Sequence, residues 1–251
     1  MSSADRLDHS TLSAGRFRSS AATDPSTARA RNEDSYVNRP DLGIWVVADG
    51  AGGHQSGDVA ARLVTDMIGA VPGGLSSADL LAEVQLRIAQ AHESLRAEAA
   101  RRGGNAILAT TLVMLLGHRN HYTCLWIGDS RAYLLRDGHL SRLTRDHSLV
   151  QNMVDLGVIS DADAYAHPSA NVITRAVGAG SASAQLDKVS GPLKARDRFL
   201  LCSDGLSKSL PEDEIARLLA SASPPAASLV GAALKAGADD NVTAVAIEVL
   251  S

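Results

Sequence analysis

Apolar positions along this chain follow two rhythms. Val59, Leu63, Met67 and Val71 recur every fourth residue, flanked by Ala60, Val64 and Ile68, which predicts a helix over about 56–71 ended by Pro72-Gly73-Gly74. Leu80, Val84, Ile88, Ala91 and Leu95 share one helical face and predict a second helix over about 77–101, closed by Gly103-Gly104. Elsewhere the apolar residues come in short runs typical of strands. They predict strands at about 34–38, 44–48, 110–116, 122–127, 131–136, 139–143, 185–189, 198–202 and 242–250. Asp137-Gly138 between two of these runs is a strong two-residue hairpin signal. Shorter helices are predicted near 149–156, 211–220 and 225–235. Strands arranged in hairpins, interrupted by a pair of long helices, indicate an α+β fold of layered antiparallel sheets with helices outside. We expect residues 1–21 to form an N-terminal segment with room for one edge strand, and 22–251 to form a single domain.

Composition narrows the function. The chain has 251 residues, 45% hydrophobic and 21% charged, an ordinary globular balance. Its net charge of −4 and 3% aromatic content, with no basic stripe, argue against nucleic-acid binding. The first residues carry no apolar signal core, and the stretch from Leu108 to Leu116 is too short to cross a bilayer. Cys124 and Cys202 both lie in apolar runs and form no CxxC pair, which excludes a cysteine zinc site and fits reduced thiols. A cytoplasmic monomer without membrane contact is the expectation.

The chemistry lies in where the acids fall. Asp49 ends the run IWVVA, Asp129 follows CLWIG, Asp204 follows FLLCS, Asp240 precedes VTAVAIEV, and Glu33 stands just before the strand beginning at Asp34. Each alone is an ordinary turn residue. Strands packed in one sandwich bring their ends to one rim, and five carboxylates there require cations. Oxygen ligands select hard ions, Mg²⁺ or Mn²⁺. Two such ions bridge a water, lower its pKa and present hydroxide to phosphorus, while an arginine holds the remaining phosphoryl oxygens. Arg29 and Arg31 are placed for that task.

These residues resemble a known signature set. Arg29-Ala30-Arg31-Asn32-Glu33-Asp34-Ser35, Ala48-Asp49-Gly50-Ala51-Gly52-Gly53-His54, Ile127-Gly128-Asp129-Ser130-Arg131, Ser203-Asp204-Gly205 and Asp240-Asn241-Val242-Thr243 are similar, in order and spacing, to the motifs of the metal-dependent protein phosphatases of type 2C, in their compact bacterial form. The resemblance implies an α-β-β-α sandwich, two antiparallel sheets flanked by helices. It implies two Mn or Mg ions, with Asp49 bridging both, Asp204 and Asp240 completing one shell, and Glu33 and the Gly50 carbonyl completing the other. A weak third ion would lie at Asp129 with Asp204. Arg29 would hold the phosphate, and residues 146–180 would form a flap beside the site. Many relatives place histidine directly after Asp-Gly; here Ala51 occupies that position, and His54 is the nearest candidate acid. The implied activity is hydrolysis of phosphoserine and phosphothreonine in proteins, opposing a Ser/Thr kinase. The alternative is a catalytically inactive module that binds phosphoproteins.

Overall fold

The computed structural model describes residues 8–51, 56–103, 106–180 and 182–250. Among the described residues, twelve strands form two antiparallel sheets. The first sheet contains β1 (Asp8–Ala14), β2 (Phe17–Asp24), β12 (Val242–Val249), β11 (Arg198–Cys202), β8 (Arg131–Arg136) and β9 (His139–Arg142), in that spatial order. The second contains β10 (Asp187–Pro192), β7 (His121–Ile127), β6 (Leu112–His118), β4 (Ile44–Ala51) and β3 (Asp34–Arg39), with the short β5 (Ala109–Thr110) paired to the end of β4. Between the sheets lies one apolar layer, including Trp45, Val47, Leu115, Phe199, Leu201 and Val245. Helices α1 (Gly57–Gly69) and α2 (Ser77–Arg102) cover the second sheet through Val64, Ile68, Val84 and Ile88. Helices α6 (Glu212–Ser221) and α7 (Pro225–Lys235) cover the first through Ile215, Leu219, Leu229 and Val230. The result is the α-β-β-α sandwich anticipated above.

Local signals explain most boundaries. Ser76 caps α2 by accepting from the Asp79 backbone N–H, and Gly103 ends it with φ of 71°. The β8–β9 hairpin turns at Asp137 and Gly138, both with positive φ as a type I′ turn requires. Val59 is a correction to the sequence reading. It is exposed, and the buried face of α1 runs through Ala60, Ala61, Val64, Thr65 and Ile68. A strict four-residue repeat drifts around a helix of 3.6 residues per turn, so Val59 falls outside the covered face while Leu63 and Met67 border it and Val64 and Ile68 lie at its centre.

Strand β2 is the larger surprise. FRSSAATD has no hydropathy signal, yet it pairs along its length with β12 and runs across residues 21 and 22. Its buried serines are satisfied: Ser19 donates to Asn38, and Ser20 accepts from the Ala226 backbone. Three short helices close the inventory: α3 (Leu149–Asp155), α4 (Asp161–Ala166) and α5 (Asp204–Ser209). The last two fall below the length at which periodicity is readable. The strand anticipated at 185–189 lies at 187–192.

Candidate metal centre

Register brings the first acids together. β3 and β4 pair with Asp34 directly opposite Asp49, and the Gly50 N–H donates to the Glu33 carbonyl at 3.2 Å. A second pair arrives from the other sheet. Asp204 opens α5 just beyond β11, and Asp240 stands just before β12. A Cβ on Gly205 would lie 2.2 Å from the Asn241 carbonyl oxygen, so only glycine lets these two segments touch. Asn241 ties the halves of the site to each other. Its Oδ1 accepts from the Glu33 N–H at 2.8 Å, and its Nδ2 donates to the carbonyls of Pro25 and Arg31. Ser203 donates to Asp34 Oδ2 at 2.8 Å and accepts from the Thr243 N–H. The Asp49 backbone is held by Thr110 and Thr111, whose hydroxyls meet its carbonyl and its N–H.

Electrostatics records the crowding. Desolvation, followed by Asp34, Asp204, Asp129 and Asp240, pushes the Asp49 carboxyl well above the usual range. Burial, opposed by hydrogen bonds from Thr243 and Ser203 and reinforced by Asp204 and Asp240, raises Asp34 to about 7. Asp129 is also raised to about 7, by burial and then by Asp204. Glu33 is raised by burial and by Asp58, an acid of the first turn of α1 that the sequence reading did not include. Five of the acids singled out from sequence, Glu33, Asp49, Asp129, Asp204 and Asp240, thus share one electrostatic neighbourhood with Asp34.

Two cations border this cluster. Arg29, exposed at the rim, donates to Asp240 Oδ2 at 2.7 Å. Lys208 lies 2.5 Å from Asp204 Oδ2 and 3.9 Å from Asp129 Oδ2. Burial lowers the Lys208 ammonium, but the two carboxylates outweigh it and hold it above its ordinary value. Among the described residues, no three Asp, Glu, His or Cys side chains converge as a ready-made cage. Lys208 holds Asp204 Oδ2 and Arg29 holds Asp240 Oδ2, while Asp240 Oδ1 accepts from the Asn241 N–H. Asp34 Oδ1 and Asp204 Oδ1 are buried with no hydrogen-bond partner. A Cβ added to Gly57 would lie 2.5 Å from Glu33 Oε2 and 2.8 Å from the Gly50 carbonyl oxygen, so these two oxygens border one small volume that a side chain would fill. Orphaned carboxylate oxygens and an oxygen-lined recess fit hard divalent cations.

Residues 146–180 form the far wall. A cavity of about 380 Å³ lies between Asp129, Asp204 and Lys208 on one side and Tyr165, His167 and Asn171 on the other. The segment is anchored at its start. Arg131 and Arg142 both bond Asp146, and His147 Nδ1 accepts from the Gly128 N–H at 3.1 Å, immediately before Asp129. His147 is lowered by burial, and its Nε2 faces Asp187. At its other end, Val177 bridges to Thr110, the residue that holds Asp49.

The family profile described as protein phosphatase 2C matches residues 27–237. This chain belongs to the protein phosphatase 2C family. It is 35% identical over 236 residues to the serine/threonine protein phosphatase PstP of Mycobacterium tuberculosis, covering 93% of this chain and 45% of that protein, so it spans about half of that relative's length. The serine/threonine phosphatase stp of Listeria welshimeri is 33% identical, with 90% of this chain and 93% of that protein covered. Among solved structures, PppA of Pseudomonas aeruginosa superposes with a TM-score of 0.86 at 37% identity over 94% of this chain and 99% of that one. The PstP catalytic domain in complex with two manganese ions gives 0.83 at 33% identity, with the same coverage.

Within this protein phosphatase 2C chain, sequence reasoning passed over Asp34, Gly57, Lys208 and Asn241. Asp34 sits in the quoted Asn32-Glu33-Asp34 motif, and its position opposite Asp49 follows only from the strand pairing. Lys208 carried a readable signal: it lies four residues after Asp204, one helical turn on. His54 lies outside the described residues. No helix among the described residues is long and apolar enough to span a membrane.

Proposed function

We propose that this chain is a Mg²⁺- or Mn²⁺-dependent phosphatase that hydrolyses phosphoserine and phosphothreonine in proteins and opposes a bacterial Ser/Thr kinase. The observation that carries this reading is the placement of Asp49 among Asp34, Asp204, Asp129 and Asp240, with Oδ1 of Asp34 and of Asp204 left unpartnered. Asp49 would be the shared ligand, Asp204 and Asp240 would hold one ion, and Glu33 with the Gly50 carbonyl would hold the other. When bound, two such ions supply a lowered water pKa and the positive charge that phosphoryl transfer requires. Asp34, held by Ser203, adds its carboxylate to the cluster directly opposite Asp49. Arg29 stands at the rim, where its planar fork meets the oxygens of an incoming phosphoryl group. His54, the nearest histidine after Ala51, is our candidate for protonating the leaving oxygen. The two-manganese PstP structure supports the ion count.

Release of inorganic phosphate from a phosphothreonine peptide, with Mn²⁺ and then with excess chelator, tests the proposal. We expect turnover with metal, none with chelator, and loss of at least about a hundredfold in Asp49→Asn and Asp240→Asn, because the metals carry most of the barrier reduction. Near-normal turnover in either variant overturns it. The binding-only alternative finds no support: the acids are all in place, and the relatives are named phosphatases.

A further inference from the structure

The Asp129–Asp204 pair already has a cation. Lys208 Nζ lies 2.5 Å from Asp204 Oδ2, 3.9 Å from Asp129 Oδ2 and 2.7 Å from Asn171 Oδ1. An ammonium has three N–H donors and no acceptor; here two are taken by Asp204 Oδ2 and Asn171 Oδ1, and Asp129 stands at ion-pair distance. The division of labour on Asp204 is the telling feature. Its Oδ2 faces Lys208, while its Oδ1 is buried and unpartnered on the other side. Lys208 therefore holds Oδ2 and leaves Oδ1 without a protein partner. The geometry is set by the backbone. Asp204 and Lys208 are four apart in α5, so one turn of helix stacks the ammonium over the carboxylate. Asp129 comes from the turn after β7, and Asn171 from the segment facing the cavity.

We propose that the Lys208 ammonium serves as a built-in cation of the Asp129–Asp204 pair, taking the place a third divalent ion would occupy and tying Asn171 of the facing segment to the metal centre. This inference rests on the two-ion reading above. One ammonium leaves this pair of carboxylates at a net charge of −1 rather than −2, and a further dication seated on Asp204 Oδ2 would have to displace Lys208 from it. Lys208 acts here as a positioning residue. It fixes Oδ2 of a metal ligand and one side chain of the cavity wall.

Metal counting separates the outcomes. Mn²⁺ bound per chain is measured by equilibrium dialysis up to millimolar free ion, for the wild type, Lys208→Gln, Lys208→Arg and Asp129→Asn. We expect two ions for the wild type, two for Lys208→Arg, and two for Asp129→Asn. In Lys208→Gln the uncovered carboxylates recruit a third, weaker ion, and adding Asp129→Asn to that variant removes it. Three ions in the wild type, with one lost in Asp129→Asn, overturns the proposal and leaves the two-ion reading intact. An unchanged count of two in folded Lys208→Gln also overturns it. Fewer than two ions in the wild type overturns the two-ion reading and this inference with it. Circular dichroism reports whether Lys208→Gln is folded; if it is not, the wild-type and Asp129→Asn counts decide the matter.

Discussion

Asp34 and Asp49 face each other directly across the β3–β4 pair, two carboxylates on one face of one sheet. Like charges placed opposite one another destabilise a sheet, so this arrangement costs free energy unless something positive or a proton relieves it. The arrangement is therefore informative about function, and several outcomes follow from it.

Asp34→Asn keeps the shape of the side chain and removes its charge. Asp34 Oδ1 is buried with no partner, and Oδ2 accepts from Ser203. We expect Mn²⁺ affinity to fall about 10–100-fold, the usual effect of removing a group that supports metal ligands. Calorimetric titration with Mn²⁺ measures it. Wild-type affinity in this variant removes Asp34 from the centre.

Gly57→Ala sets two effects against each other. Helix propensity favours alanine, by less than the ~1 kcal/mol of a helix interior because Gly57 is the first residue of α1. The added Cβ would, however, stand 2.5 Å from Glu33 Oε2 and 2.8 Å from the Gly50 carbonyl oxygen. We expect the chain to fold, with Mn²⁺ binding weakened at least about tenfold, since the methyl fills the recess between two proposed ligands. Titration alongside a melting curve distinguishes this from general destabilisation.

Asn241→Ala removes three hydrogen bonds at once, from the Glu33 N–H and to the carbonyls of Pro25 and Arg31. The residue is buried, so its partners lose their bonds without full access to water. A stability loss of about 2–4 kcal/mol is expected, read from the denaturant midpoint. Metal affinity falls as well, because Glu33 loses its anchor.

Metal-free protein carries a distinctive pH signature. Asp34 and Asp129 are each raised to about 7 in the fold, from ordinary unfolded carboxyl values. The unfolded chain releases these protons first, so their contribution to stability is fully present below about pH 4 and is lost as pH rises toward 7. In chelator, the melting temperature should fall between pH 5 and pH 8. Saturating Mn²⁺ should shrink or reverse that slope, since binding to the native state alone adds stability. A chelated protein equally stable at both pH values would mean that neither burial nor the neighbouring acids raise these two carboxyls in the fold.

Much of this was readable in the chain. The stripe of α2, the Asp137-Gly138 hairpin and the acids at strand ends are local facts, carried by residues within a few positions of one another. In the stripe read for α1 only Val59 falls outside the core, because it lies at the margin of the apolar face and only the sheet beneath decides where that face ends. Strand β2 was invisible because its burial comes from neighbours on β12 and not from its own hydropathy.

By itself, then, the sequence determined the long helices and most of the strands, which acids stand at their ends, and the family to which the motifs belong. Only the tertiary structure decided that Asp34 lies against Asp49, that Lys208 reaches Asp129 from a different element, and that Gly57 leaves room beside Glu33. The reason is physical. Helix and turn preferences act over a few bonds, whereas these contacts depend on strand register and sheet packing that the whole core sets together.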